Sequence, residues 1–158
     1  MLRVRSVLSV VFAAIAIFIV SCSNPPQAAT GPLYSDVQIE RIQSYTADLD
    51  ILRDRITEIP NLVTRRRWND VQTLIHGPLG ELRVKMVSIT RNLEEDLQDE
   101  ARSVARDVFD HLVDIDQAAA DQDKDRALAN YNNTLEDFDR FLRLVPDFSM
   151  PEPADAAA

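Results

Sequence analysis

One cysteine, two histidines and three glycines are all that 158 residues hold of the types on which most metal, redox and phosphate-cradling sites depend. With Cys22 alone there is no intrachain disulfide, so an exported domain would be held by its core only. Three glycines cannot build a phosphate-binding loop. No nucleophile stands beside a base, and no carboxylate pair is marked out from helix-surface spacing, so the sequence reads as no enzyme and shows no small-molecule substrate site. Positive charge is also in deficit: 17 Lys and Arg against 26 Asp and Glu give a net charge of −9, which disfavours nucleic acid. Alternating strand patterns are absent, and only one long uncharged run exists, Val7 to Val20.

That run follows Arg3 and Arg5 and is shorter than the roughly 20 apolar residues a bilayer-spanning helix needs. It reads as a secretory signal over residues 1–21, ending in Ile19-Val20-Ser21-Cys22, which is similar to the bacterial lipobox. The thiol of Cys22 is the nucleophile that takes a diacylglyceryl group as a thioether. With the freed amine acylated too, several chains give the stable membrane anchoring that one chain cannot. Losing Arg3 and Arg5 with the signal takes the charge from −9 to −11.

Residues 22–34 carry Pro25, Pro26, Gly31 and Pro32 among small polar residues and read as a flexible tether. Pro146, Pro151 and Pro153 mark residues 146–158 as a disordered tail. Between them, 35–145, the apolar residues recur in steps of three and four. Ser35-Asp36-Val37-Gln38 forms a capping box ahead of Ile42, Tyr45, Leu49, Leu52, Ile56 and Ile59, and Pro60 stops that helix. The second seam, Trp68 to Leu93, keeps its phase across Gly77-Pro78, which predicts one long helix kinked there. A third runs from Leu97 to Ala119, and a fourth uses Leu128, Tyr131, Leu135, Phe138, Leu142 and Val145. The expected fold is all-α, an up-down-up-down four-helix bundle with its Met, Phe, Tyr and Leu seams serving as core.

Charge along the bundle is uneven. From Arg41 to Arg91 basic residues outnumber acidic ones, and from Glu94 to Asp125 the reverse holds strongly. Arg65-Arg66-Arg67-Trp68 is the most informative patch: Trp68 belongs to the core seam, so the arginines point elsewhere and offer a surface to an acidic partner or lipid headgroups. No cofactor is called for. Met86 and His111 are not singled out as haem ligands by any spacing. Asp107, His111 and Asp114, at i, i+4 and i+7, share a helix face and are the best candidate for a surface Zn or Cu. His76 reads as an ordinary residue beside the helix break.

Arg65-Arg66-Arg67-Trp68-Asn69-Asp70-Val71-Gln72, followed by a run with Leu79, Leu82, Arg83 and Met86, resembles the opening of the second helix of the PsbQ family, the extrinsic Q subunits of photosystem II. Tyr131, Leu135, Phe138 and Leu142 are similar to the family's final helix, and Cys22 points to its cyanobacterial lipoprotein form. Gly77-Pro78 departs from the smooth second helix of plant members. The resemblance implies a lipid-anchored subunit on the lumenal face of the thylakoid membrane, with the photosystem II core and other lumenal extrinsic subunits as partners. It also implies a role in stabilising the oxygen-evolving complex and retaining calcium and chloride, without binding the manganese cluster. Read without the resemblance, the same residues also fit a bacterial envelope lipoprotein acting as helical scaffold, chaperone or metal-binding protein.

Overall fold

The computed structural model describes residues 33–148. The signal over residues 1–21, Cys22, the tether as far as Pro32 and the tail from residue 149 lie outside the described residues. Among the described residues six α-helices and one 3-10 turn make up four arms. The first arm is α1 (Asp36–Ile56), and the second is α2 (Ile59–Thr64), α3 (Trp68–His76), a 3-10 turn (Pro78–Glu81) and α4 (Leu82–Thr90). The third arm is α5 (Glu95–Asp121) and the fourth α6 (Lys124–Leu144). No strand occurs among the described residues.

Local chemistry sets most boundaries. Ser35 closes the capping box of α1, its hydroxyl accepting from the Gln38 N–H while Gln38 Oε1 accepts from the Ser35 N–H at 3.0 Å. Pro60 falls in the first turn of α2, where its missing N–H is no loss, so the residue that ends α1's pattern also starts the next helix. Gly77 breaks the second arm with φ −91° and ψ −103°, and a Cβ there would stand 2.7 Å from the Thr73 carbonyl oxygen. Pro78 then opens the 3-10 turn. The seam nevertheless continues across the kink, since Val71, Ile75, Leu79, Leu82, Met86 and Ile89 are all buried. Asp123 caps α6 by accepting from the Arg126 N–H at 3.0 Å.

Helices α5 and α6, joined by a two-residue turn, make the most extensive contact, α1 lies on α4, and α3 and α4 pack against α5. The core is continuous, with Phe138, Phe141, Ile42, Leu49, Ile56, Leu82, Met86 and Ile115 fully enclosed. In α6 the buried line is Ala127, Thr134, Phe138 and Phe141, while Leu128, Tyr131, Leu135, Leu142 and Val145 flank it half-buried. The face is therefore turned from the one the large apolar residues predict. Small Ala127 and Thr134 are fully buried on this face, and the Thr134 hydroxyl is satisfied by the Asn130 carbonyl at 2.8 Å. Tyr34 and Phe148, from the ends of the segments read as tether and tail, belong to the packing. Their rings meet edge-on at 5.2 Å, and Tyr34 Oη accepts from the Glu94 N–H at 3.2 Å.

Ion pairs tie the arms together at their rims. Arg53 grips Asp139 with two nitrogens at 2.8 and 3.1 Å, joining α1 to α6. Lys85 Nζ lies 2.6 Å from Asp48, joining α4 to α1, and Arg140 reaches Glu100 across α6 and α5 at 2.9 Å. Hydrogen bonding to Asp48 raises the Lys85 ammonium above its ordinary value, and burial raises the Tyr34 phenol.

Candidate functional site

The run Arg65-Arg66-Arg67-Trp68 is not one helical face but a tight reversal between α2 and α3. The N–H of Arg67 donates to the Leu62 carbonyl at 2.9 Å and that of Arg66 to the Val63 carbonyl at 3.0 Å, the two bonds of a Schellman motif. Arg66 occupies its left-handed position at φ 56°. A second reversal, between α5 and α6, is built the same way. Asp123 N–H donates to the Ala118 carbonyl at 2.8 Å, Gln122 N–H to Ala119 at 3.2 Å, and Gln122 is left-handed at φ 58°. These are the only non-glycine residues of positive φ among the described residues. Glycine is the usual occupant of such a position because it has no Cβ to meet the following carbonyl.

Both reversals lie at one end of the bundle, where α2 packs on α6. Between them is a cleft of about 310 Å³ lined by Thr64, Arg66, Trp68, Gln122 and Lys124. Trp68, the single tryptophan of the chain, is half-buried against the core and lines this cleft. Arg66 and Lys124 have no ion-pair or hydrogen-bond partner through their side chains among the described residues. Of the nearby acids, Asp121 holds Arg126 and Gln117 and Asp123 caps α6, while Asp125 is exposed in the first turn of α6.

The sequence-predicted basic patch is thus divided. Arg66 and Trp68 face the cleft, the Arg67 side chain is held by Asp70, and exposed Arg65 caps the end of α2. Thr64 directly precedes the patch, whereas Gln122 and Lys124 carry no linear signal of kinship with it. Only the paired reversals bring them to it.

Asp107, His111 and Asp114 do share a face of α5, but His111 and Asp114 are engaged elsewhere. His111 Nδ1 lies 3.1 Å from Asn130 Oδ1 and its Nε2 3.3 Å from Asp137 Oδ2, while Asp114 accepts from Arg126 at 2.8 Å. Among the described residues no group of three or more His, Cys, Asp or Glu is placed to hold a metal ion. His76 Nε2 stands 3.0 Å from Asp116. Cys22 lies outside the described residues, and none of the described helices is long and apolar enough to cross a membrane. A helical body with a cationic, aromatic-walled cleft at its end is equipped to bind an anionic group, while Arg53–Asp139, Lys85–Asp48 and Arg140–Glu100 join one helix to another.

Comparison with known proteins shows the family of the whole chain. The family model described as PsbQ, oxygen evolving enhancer protein 3, matches residues 3–146. A protein of Synechocystis sp. named CyanoQ is 38% identical over 150 residues, covering 94% of this chain and 100% of the relative.

Proposed function

The chain belongs to the PsbQ family, and from that membership we propose that it is an extrinsic, non-catalytic subunit of photosystem II, held at the lumenal face of the thylakoid membrane by lipid on Cys22. The reading is carried by the extent of the match, which takes in the leader and all four arms. In this role the bundle docks on the photosystem core and on neighbouring extrinsic subunits, stabilises the oxygen-evolving complex and slows the escape of calcium and chloride. Arg65, Arg66, Arg67 and Trp68 contribute to the docking surface.

The architecture supports such a part. A bundle whose arms are clamped by Arg53–Asp139, Lys85–Asp48 and Arg140–Glu100 meets its partner with little ordering cost. A lipid anchor would supply a high local concentration, so a modest docking affinity suffices. Purification of the chain by a C-terminal tag from detergent-solubilised thylakoids tests the reading. Oxygen-evolving photosystem II should co-purify, and its absence from the tagged preparation overturns the proposal. Cys22→Ser should lower the co-purified amount while leaving the helical content intact.

A further inference from the structure

We propose that the cleft between the two chain reversals is a receptor for a carboxylate side chain, an Asp or Glu presented on a protruding acidic segment of the docking partner. This rests on the reading of the chain as a docking subunit and names the chemistry of one contact. Arg66 and Lys124 approach the cleft from different arms, and no acid of the described domain neutralises either. Thr64 adds a hydroxyl, Gln122 an amide and Trp68 an aromatic wall. Cations without partners beside polar donors form the complement of a carboxylate, and a guanidinium can grip one with two parallel bonds.

The cleft, about 310 Å³, has room for an inserted Asp or Glu side chain. The surroundings argue for a protein segment over a lipid surface. Exposed Asp121, Asp123 and Asp125 share the turn with Gln122 and Lys124, so a broad, flat anionic membrane would meet these acids, whereas a protruding carboxylate side chain can enter the cleft that Arg66 and Lys124 line. The backbone points the same way. Both reversals carry a long polar side chain at the position where glycine is least strained, and both side chains line the cleft.

Because Trp68 is the chain's single tryptophan, its fluorescence reports occupancy of this site alone. The full chain, solubilised in a non-ionic detergent, is titrated with a hexaglutamate peptide. A saturable change in Trp68 emission that weakens with salt is expected. Arg66→Gln and Lys124→Gln should each weaken it about tenfold, the loss of one charge-assisted hydrogen bond. Arg91→Gln, altering an exposed arginine at the end of α4, should bind as wild type. Circular dichroism checks that the variants fold. An unchanged affinity in both cleft variants overturns the proposal, and so does a response to phosphatidylglycerol vesicles with none to the peptide. Sedimentation with photosystem II particles stripped of extrinsic subunits separates the two readings. If wild type does not bind, the subunit reading falls; if wild type and the Arg66→Gln, Lys124→Gln double variant bind equally, the cleft proposal alone falls.

Discussion

Replacing Arg66 and Gln122 by glycine should make the bundle more stable. Each residue holds a left-handed conformation, φ 56° and φ 58°, at the end of a helix closed by a Schellman motif. For a residue with a Cβ that conformation costs roughly 1–2 kcal/mol. Glycine removes the cost but brings about 0.5–1 kcal/mol of extra unfolded-state entropy, which leaves a net gain of about 0.5–1 kcal/mol per site. No folded-state hydrogen bond of either side chain has to be given up. For a domain of this size the double variant should melt roughly 4–8 °C higher, taking about 4 °C per kcal/mol. Thermal unfolding followed by far-UV circular dichroism, with single and double variants side by side, measures the shift. The carboxylate response of Trp68 should weaken in Arg66→Gly even as the melting temperature rises. A melting temperature that falls or does not move in both single variants would refute the strain assigned to these turns.

Gly77→Ala should act in the opposite sense, because its Cβ would meet the Thr73 carbonyl oxygen at 2.7 Å and force the kink to shift; a loss of about 1–3 kcal/mol in urea unfolding is expected. Phe138→Ala empties the centre of the α6 contact, where the ring is fully enclosed, and should cost about 3–5 kcal/mol in the same assay. Alkaline pH should loosen the domain. The folded state holds the Tyr34 and Lys85 protons more tightly than the unfolded chain does. Their stabilisation is therefore complete below the ordinary values of 10.0 and 10.5 and is lost as pH rises through the raised folded values. Tyr34→Phe removes the acceptor for the Glu94 N–H, so it should be about 1 kcal/mol less stable at neutral pH and decline less steeply above pH 10.0 than wild type.

Spacing alone specified the four arms and most of the core, though not the short helix Ile59–Thr64. The three-four recurrence from Ile42 to Ile59 and from Val71 to Ile89 marks residues that are buried in the structure, and the capping box at Ser35 and the break at Gly77-Pro78 stand where the residues place them. These are local matters, set within one or two turns by side-chain periodicity, a missing N–H and a missing Cβ. The rotation of α6 was not legible, because the fully buried line includes the small Ala127 and Thr134, and a pattern of large apolar residues points beside it. Tyr34 and Phe148 show the same limit, since their edge-on contact joins opposite ends of the chain.

The basic patch divides along the same line. Arg65, Arg66, Arg67 and Trp68 stand out in the sequence as charge beside an aromatic residue, and local charge is readable from residue types. Which arginine faces the cleft needed the folded turn, in which Asp70, three residues on, holds Arg67 and the left-handed position puts Arg66 on the cleft. Lys124 and Gln122 join it only because α2 packs against α6, and no spacing within a single helix encodes a contact between residues so far apart in the chain. What the chain wrote plainly was its helices and its charge. What needed the fold was the pairing of two reversals into one site, because that depends on how the arms meet.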